Sequence, residues 1–203
     1  MENLIFDLDN TLYPPCSNVL LEVDKKINHF MQKKLGLTDV DRLRQKYREE
    51  CGTTLLGLIN DFGVAPEDYL EHVHDIDYDT LLEKDEKLAE VLSSFNSNKI
   101  IFTNGSKKHA ENVLERLGVA KHFDAIFSIE NFMMNPKPSP GAYNIFIDNT
   151  RVDPLKSIYF EDSPKNLKTA KNFGFKTAIV WSSDKNFDYS FSNIYDIISL
   201  KEV

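Results

Sequence analysis

The chain has 203 residues, a formal net charge of −8 and 41% hydrophobic residues, enough for one sizeable core plus a small inserted module. The acidic balance offers no positive field to nucleic-acid polymers or anionic membranes, so any phosphate handled here must meet local positive groups. No apolar run approaches the ~20 residues that cross a bilayer, no segment has the make-up of a secretory leader, and Cys16 and Cys51 are too few for a disulfide framework, which together predict a cytoplasmic protein.

The first element is the apolar run "NLIFDL", which stops on two acids, Asp7 and Asp9, in "FDLDNTL". A helical stretch follows. "SNVLLEVDKKINHFMQKKLG" sets Val19, Leu20, Val23, Ile27, Phe30, Met31 and Leu35 at helical spacing, and "TDVDRLRQKYREECG" and "APEDYLEHVH" are helical as well. The second half alternates. "KIIFTN", "DAIFSI", "SIYFED" and "KTAIVW" are short, β-branched and aromatic, like strands buried on both faces. Between them "SKKHAENVLERLG", "SPGAYNIFIDNT" and "SPKNLKTAKNFG" read as helices, with Gly118 and Gly174 as stops. The pattern predicts an α/β fold: a Rossmann-like parallel sheet core from residues 1–13 and 82–203, with a small α-helical cap inserted over 14–81. Hinges are expected near Tyr13 to Pro15 and near Asp77 to Lys84.

Ligands of an open parallel sheet gather at the carboxyl ends of its strands. Those ends carry Asp7, Asp9 and Thr11; Thr103, Asn104 and Gly105; Glu161, Asp162 and Ser163; and Lys137 lies in the loop of "NPKPSP". Carboxylates at Asp7, Asp9, Glu161 and Asp162 on one rim repel each other unless a cation sits among them, and all-oxygen ligation suits Mg²⁺. Lys137 and Thr103 beside such an ion make a phosphoryl cradle. Asp7 is then placed as a nucleophile and Asp9 as the proton donor to the leaving oxygen. Plainer explanations exist for each part. Thr103 and Asn104 could cap a helix, Lys137 could be a solvated lysine, and Glu161 and Asp162 could face a helix N-terminus. A calcium loop is disfavoured because Leu12 and Asn18 stand where that pattern needs Gly and an acid. Their joint occurrence on strand ends favours chemistry.

Four segments in order, "DLDNT" (7 to 11), "FTNG" (102 to 105), Lys137 in "PKPSP" and "EDS" (161 to 163), resemble the motifs of the haloacid dehalogenase superfamily of Mg²⁺-dependent phosphohydrolases. The resemblance implies an aspartyl-phosphate on Asp7, acid and then base catalysis by Asp9, and Mg²⁺ held by the Asp7 carboxylate, the Asp9 carbonyl, Asp162 and Glu161. It implies that Thr103, Lys137 and groups near Asn104 bind the phosphoryl oxygens. "DNTLYP", "YREECGTTLLGL", "VHDIDYDTL" and "FEDSPKN" further resemble the pyrimidine 5′-nucleotidase-like subgroup. That narrower likeness implies a nucleoside monophosphate or a comparably small phosphomonoester, with Tyr47, Thr53, Thr54 and Leu55 as substrate contacts in the cap. Partners are then small molecules, and the chain a monomer or homodimer.

The alternatives are another small phosphomonoester such as a sugar phosphate or phosphoglycolate, a phosphomutase, a halide-releasing hydrolase, or a non-catalytic binding protein. A halide-releasing hydrolase has no need of Asp9, Glu161 and Asp162, and a binding protein has no reason to hold the whole set. His72 and His74 in "EHVHD" lack a ligand cluster, with His74 expected to shape the cap, and neither cysteine has a base beside it.

Overall fold

A computed structural model describes residues 1–132 and 135–202, leaving Met133, Met134 and Val203 outside the described residues. The chain forms two compact units, Met1–Ser17 with Tyr78–Val203, and Asn18–Asp77.

The first unit is built on a six-stranded sheet ordered β3-β2-β1-β4-β5-β6. Its strands are β1 (Asn3–Phe6), β2 (Asn98–Phe102), β3 (Ala125–Phe127), β4 (Ser157–Glu161), β5 (Lys176–Val180) and β6 (Tyr189–Phe191). Every pairing is parallel. Every residue of β1 is buried, and so is every residue of β4, which is why they read as continuous apolar runs rather than as alternation. Phe6 stacks on Phe160 with ring centroids 4.6 Å apart, and Phe102 stacks on Phe146 at 4.4 Å. Strand order turns back at β1, since β2 lies on one side of it and β4 on the other. That is where a ligand crevice is expected in such a sheet.

The helices of this unit follow local signals. Helix α7 (Lys107–Leu117) starts at Ser106, whose hydroxyl accepts from the His109 N–H, and ends at Gly118 with φ 74°, a left-handed turn that glycine takes without a Cβ penalty. Helices α9 (Pro140–Thr150) and α10 (Pro164–Asn172) each carry proline in the first turn, where the missing N–H has no intrahelical partner to lose. Helices α5 (Tyr78–Leu81), α6 (Glu86–Ser93) and α8 (Ile129–Phe132) complete the unit. Strand β6 is absent from the sequence expectation. It is three residues long, too short for periodicity to register, and exists through its register with Ala178, Ile179 and Val180.

The second unit is helical: α1 (Val19–His29), continued by a wider turn over Phe30–Lys34, then α2 (Val40–Glu50), α3 (Thr54–Phe62) and α4 (Pro66–Val73). Val19, Val23, Phe30 and Met31 of the expected stripe are buried, while Leu20, Ile27 and Leu35 are half-buried. Phe30 meets Tyr69 edge-on at 5.3 Å. Gly57 lies so close to Tyr47 that an added Cβ would come within 2.1 Å of the ring, so glycine lets α3 approach α2. Among the described residues no helix is long and apolar enough to cross a membrane.

Candidate active site

The loop after β1 is shaped by its own sequence. Asn10 takes a left-handed φ of 56°, which asparagine tolerates better than most residues, and Thr11 and Leu12 both donate to the Leu8 carbonyl. This tight turn sends the Thr11 hydroxyl back to Asp7 Oδ2 at 3.0 Å. Trp181, just past β5, donates from Nε1 to the Thr11 carbonyl at 3.1 Å and fastens the turn.

Lys137 is 2% exposed. Its Nζ donates to Asp7 Oδ1 at 2.8 Å, Glu161 Oε1 at 3.2 Å, the Phe102 carbonyl at 2.6 Å and the Tyr159 hydroxyl at 2.7 Å. The ammonium also lies 5.0 Å from the Phe102 ring centroid, a favourable place for a desolvated cation. Burial opposes its charge, but Asp7 and Glu161 outweigh burial and hold its pKa above the usual lysine value. The loop itself is held by Asn104, whose amide donates to the Lys137 carbonyl and accepts from the Lys137 N–H, both at 2.9 Å. Asn104, expected among the phosphate contacts, thus has its side chain engaged in placing the lysine.

Carboxylate oxygens of Asp7, Glu161 and Asp162 lie within 4.8 Å of one another, the one such His/Cys/Asp/Glu group among the described residues. Burial, and then the Glu161 charge, push the Asp7 carboxyl up to about 7 against the pull of Lys137. Burial, and then Glu161 and Asp7, push Asp162 up to about 9. Glu161 goes the other way. Burial opposes its ionisation, yet Lys137 and hydrogen bonds from Asp162, the Ser163 N–H and Asn166 hold it below the ordinary carboxylate range. One lysine therefore does not neutralise the group, and a divalent cation with hard oxygen ligands fits it. The carboxylates of Asp7, Glu161 and Asp162 are the side chains that could hold such an ion.

Thr103 is 1% exposed, and its Oγ1 accepts from the Gly105 N–H at 2.9 Å. Asp9 Oδ1 takes two bonds that the sequence did not announce: one from the Tyr13 hydroxyl, and a 2.7 Å contact with Nε2 of His109, 100 residues away. Nδ1 of that ring lies 2.8 Å from the Tyr78 hydroxyl. Tyr159 and Asn166, which fix Glu161, were also missed. Tyr13 has a local signal, being four residues after Asp9. His109 has none, because only the folded sheet brings α7 to the loop after β1.

Of the four residues expected to contact substrate in the helical unit, two have hydrogen-bond partners within it and two are buried. Thr53 caps α3, accepting from the Leu56 N–H at 3.2 Å. Tyr47 is 2% exposed and donates to Asp61 at 2.7 Å; Thr54 and Leu55 are 6% and 5% exposed. These placements serve packing and capping. Thr53→Ala is accordingly expected to cost about 1 kcal/mol of stability, read by chemical denaturation, with an unaltered ranking of substrates. His72 stacks on His29 at 5.2 Å, and burial and then neighbouring cations lower its pKa. Both cysteines are free thiols.

Residues 4–180 match the family of haloacid dehalogenase-like hydrolases. The chain is 29% identical over 211 aligned residues to Phosphate metabolism protein 8 of Saccharomyces cerevisiae, covering 93% of this chain but only 64% of that protein's length. It is 25% identical over 182 residues to the Phosphorylated carbohydrates phosphatase of Thermotoga maritima, covering 87% and 83% of the two chains. Among solved structures, CbbY from Rhodobacter sphaeroides in complex with phosphate superposes with a TM-score of 0.70 at 18% identity, over 97% of this chain and 96% of that one. At that identity the likeness carries the fold alone. With a parallel sheet that turns back at β1 and the four sequence motifs brought to its strand ends, a match spanning nearly the whole core places this chain in the haloacid dehalogenase-like hydrolase family.

Proposed function

We propose that the chain is a Mg²⁺-dependent phosphomonoesterase that passes the phosphoryl group through Asp7. The observation that carries this reading is the buried cluster in which Lys137 bridges Asp7 and Glu161 while Asp162 completes a metal-sized group of carboxylates. An Asp7 carboxylate oxygen attacks phosphorus as the bond to the ester oxygen breaks, and Asp9 gives its proton to the departing alkoxide. Asp9, now a carboxylate, takes a proton from water as that water attacks phosphorus, and inorganic phosphate leaves with Asp7 restored. Lys137 and Thr103 bind phosphoryl oxygens, and Asn104 acts through the lysine loop it clamps. A bound cation supplies positive charge against both the carboxylates and the phosphoryl oxygens.

The substrate class we favour is a nucleoside monophosphate with a pyrimidine base, supported by the nucleotidase-like segments "DNTLYP", "YREECGTTLLGL", "VHDIDYDTL" and "FEDSPKN". In this reading the helical unit is the cap and sets specificity. A phosphorylated carbohydrate is the second reading, favoured by the likeness to the Phosphorylated carbohydrates phosphatase of Thermotoga maritima. Phosphate release should be measured across nucleoside monophosphates, sugar phosphates and phosphoglycolate. Pyrimidine nucleotides are expected to lead; sugar phosphates hydrolysed faster would move the assignment to carbohydrates, and release from no ester would end the phosphatase reading.

Metal dependence has two readouts. Exhaustive chelation should silence phosphate release, and Mg²⁺ should restore it. The same addition should raise the Tm of the chelated protein, since a ligand bound only by the folded state at 100 times its Kd stabilises by about 2.7 kcal/mol. Full activity after chelation, with a Tm indifferent to Mg²⁺, would remove the cation from the mechanism.

A further inference from the structure

Asp9 must present its carboxyl group to an oxygen that exists as an alkoxide only in the transition state, so its orientation controls how well it serves as an acid. A two-oxygen group at the end of a single side chain has freedom about two torsions, which contacts must remove. The structure supplies that restraint from elsewhere in the same unit. His109 is 0% exposed in the first turn of α7, where its backbone N–H is anchored to the Ser106 hydroxyl at 3.1 Å. Its ring reaches Asp9 Oδ1 at 2.7 Å, the same oxygen that receives the Tyr13 hydroxyl.

Gly105 makes this approach feasible. A Cβ at that position would come within 2.9 Å of His109 Cδ2, 3.2 Å of Thr103 Oγ1 and 3.4 Å of Asp9 Oδ2, so a larger residue would push the ring off the acid. Tyr78 completes the arrangement. In the neutral imidazole one nitrogen donates and the other accepts, so a Tyr78 hydroxyl donating to Nδ1, 2.8 Å away, selects the form whose Nε2–H faces the carboxylate.

We propose that His109 is a positioning residue for Asp9: with Tyr13 it holds Oδ1 and so fixes the carboxyl group that protonates the leaving oxygen, while Tyr78 holds the histidine. His109 touches no reacting atom. The proposal rests on the phosphatase reading above and adds to it a role for a buried histidine that the four motifs do not contain.

The consequence is a selective dependence on the leaving group. Loss of a well-placed acid harms an ester whose alkoxide needs a proton and harms far less an ester whose leaving group departs as a stable anion. His109→Phe keeps an aromatic ring, somewhat larger than the imidazole, and removes the donor. Its kcat/KM is expected to fall roughly 10- to 100-fold on uridine monophosphate or glycerol phosphate, whichever the wild-type enzyme hydrolyses, clearly less on phenyl phosphate, and least on 4-nitrophenyl phosphate. KM should stay close to wild type throughout. His109→Gln, whose amide can donate to the same oxygen, should recover part of the loss, and Tyr78→Phe should show the same leaving-group pattern at smaller amplitude. An equal fall in kcat/KM, which ends at release of the leaving group and so excludes the later hydrolysis in which Asp9 is the base, on alkyl and 4-nitrophenyl esters, in either His109→Phe or Tyr78→Phe, would assign these residues to the fold and overturn the proposal. So would an unchanged kcat/KM on the alkyl ester. If His109→Phe does not fold, the Tyr78→Phe comparison decides. Failure of the wild-type enzyme to hydrolyse any of these esters would instead defeat the phosphatase reading itself.

Discussion

Asp7→Asn is expected to fold normally and to lose at least about 10⁴-fold in kcat, the scale on which removal of a nucleophile is felt. An amide has nearly the shape of the carboxyl group but cannot attack phosphorus. The fold should survive because Lys137 retains Glu161, the Phe102 carbonyl and the Tyr159 hydroxyl as partners. The substitution also takes one charge out of a crowded group. Burial and the Glu161 charge already hold the Asp7 carboxyl up at about 7, so at pH 8 its ionised form costs stability in the metal-free protein, and the amide removes that cost. The Tm of Asp7→Asn in EDTA is therefore expected at or above that of the parent. Purified variant with more than a trace of turnover would take the nucleophile role away from Asp7.

Lys137→Met is expected to damage stability and catalysis together. The methionine side chain fills most of the volume but leaves two buried carboxylates facing each other without their shared cation. Removing one partner of a buried ion pair costs about 3 to 5 kcal/mol, which a urea titration in EDTA at pH 7 would read as a lowered midpoint. The pH dependence has a definite sign. Glu161 is held below its ordinary value of 4.5, through Lys137 chiefly once burial is overcome. A carboxyl group depressed in the folded state contributes stability above its unfolded pKa, and that contribution fades as pH falls through the folded one. Parent and variant should thus differ most near neutrality and converge in acid, where protonation does for the carboxylates what the ammonium did. Phosphate release should be lost at every pH, because a thioether cannot bind a phosphoryl oxygen. A midpoint equal to the parent's at pH 7 would show that the carboxylates do not depend on Lys137.

Much of the core could be read along the chain because its signals are local. Strands such as "NLIF" and "SIYF" run apolar after their first residue since both faces of the sheet are covered, and helix ends such as Ser106 and Gly118 are marked by a capping hydroxyl and by a left-handed glycine. Acids and amides stood out because a strand end is a conspicuous place to stop an apolar run. Within the helical unit the sequence leaves two roles open. "YREECGTTLLGL" drew attention as a candidate contact surface, but Thr53 caps a helix, and Tyr47 packs on Gly57 and bonds Asp61. A threonine before a helix and an aromatic opposite a glycine look alike in sequence whether they serve a ligand or a packing contact.

By itself the sequence determined the α/β class, the helical insertion and the identity of the residues at the strand ends, since propensity, capping and burial on both faces act over a few residues. The tertiary structure alone decided which of those residues meet. Lys137 reaches Asp7 across 130 residues and Glu161 across 24, Asn104 clamps the lysine's backbone rather than standing by itself, and His109 arrives at Asp9 from a helix whose sequence carries no mark of it. These are contacts between distant segments that the parallel register of β1 with β2 and β4 brings side by side. The shifts that give the site its chemistry follow from the same cause, because a carboxylate's pKa depends on how deeply it is buried and on which charges share its cavity, neither of which is a property of its neighbours in the chain.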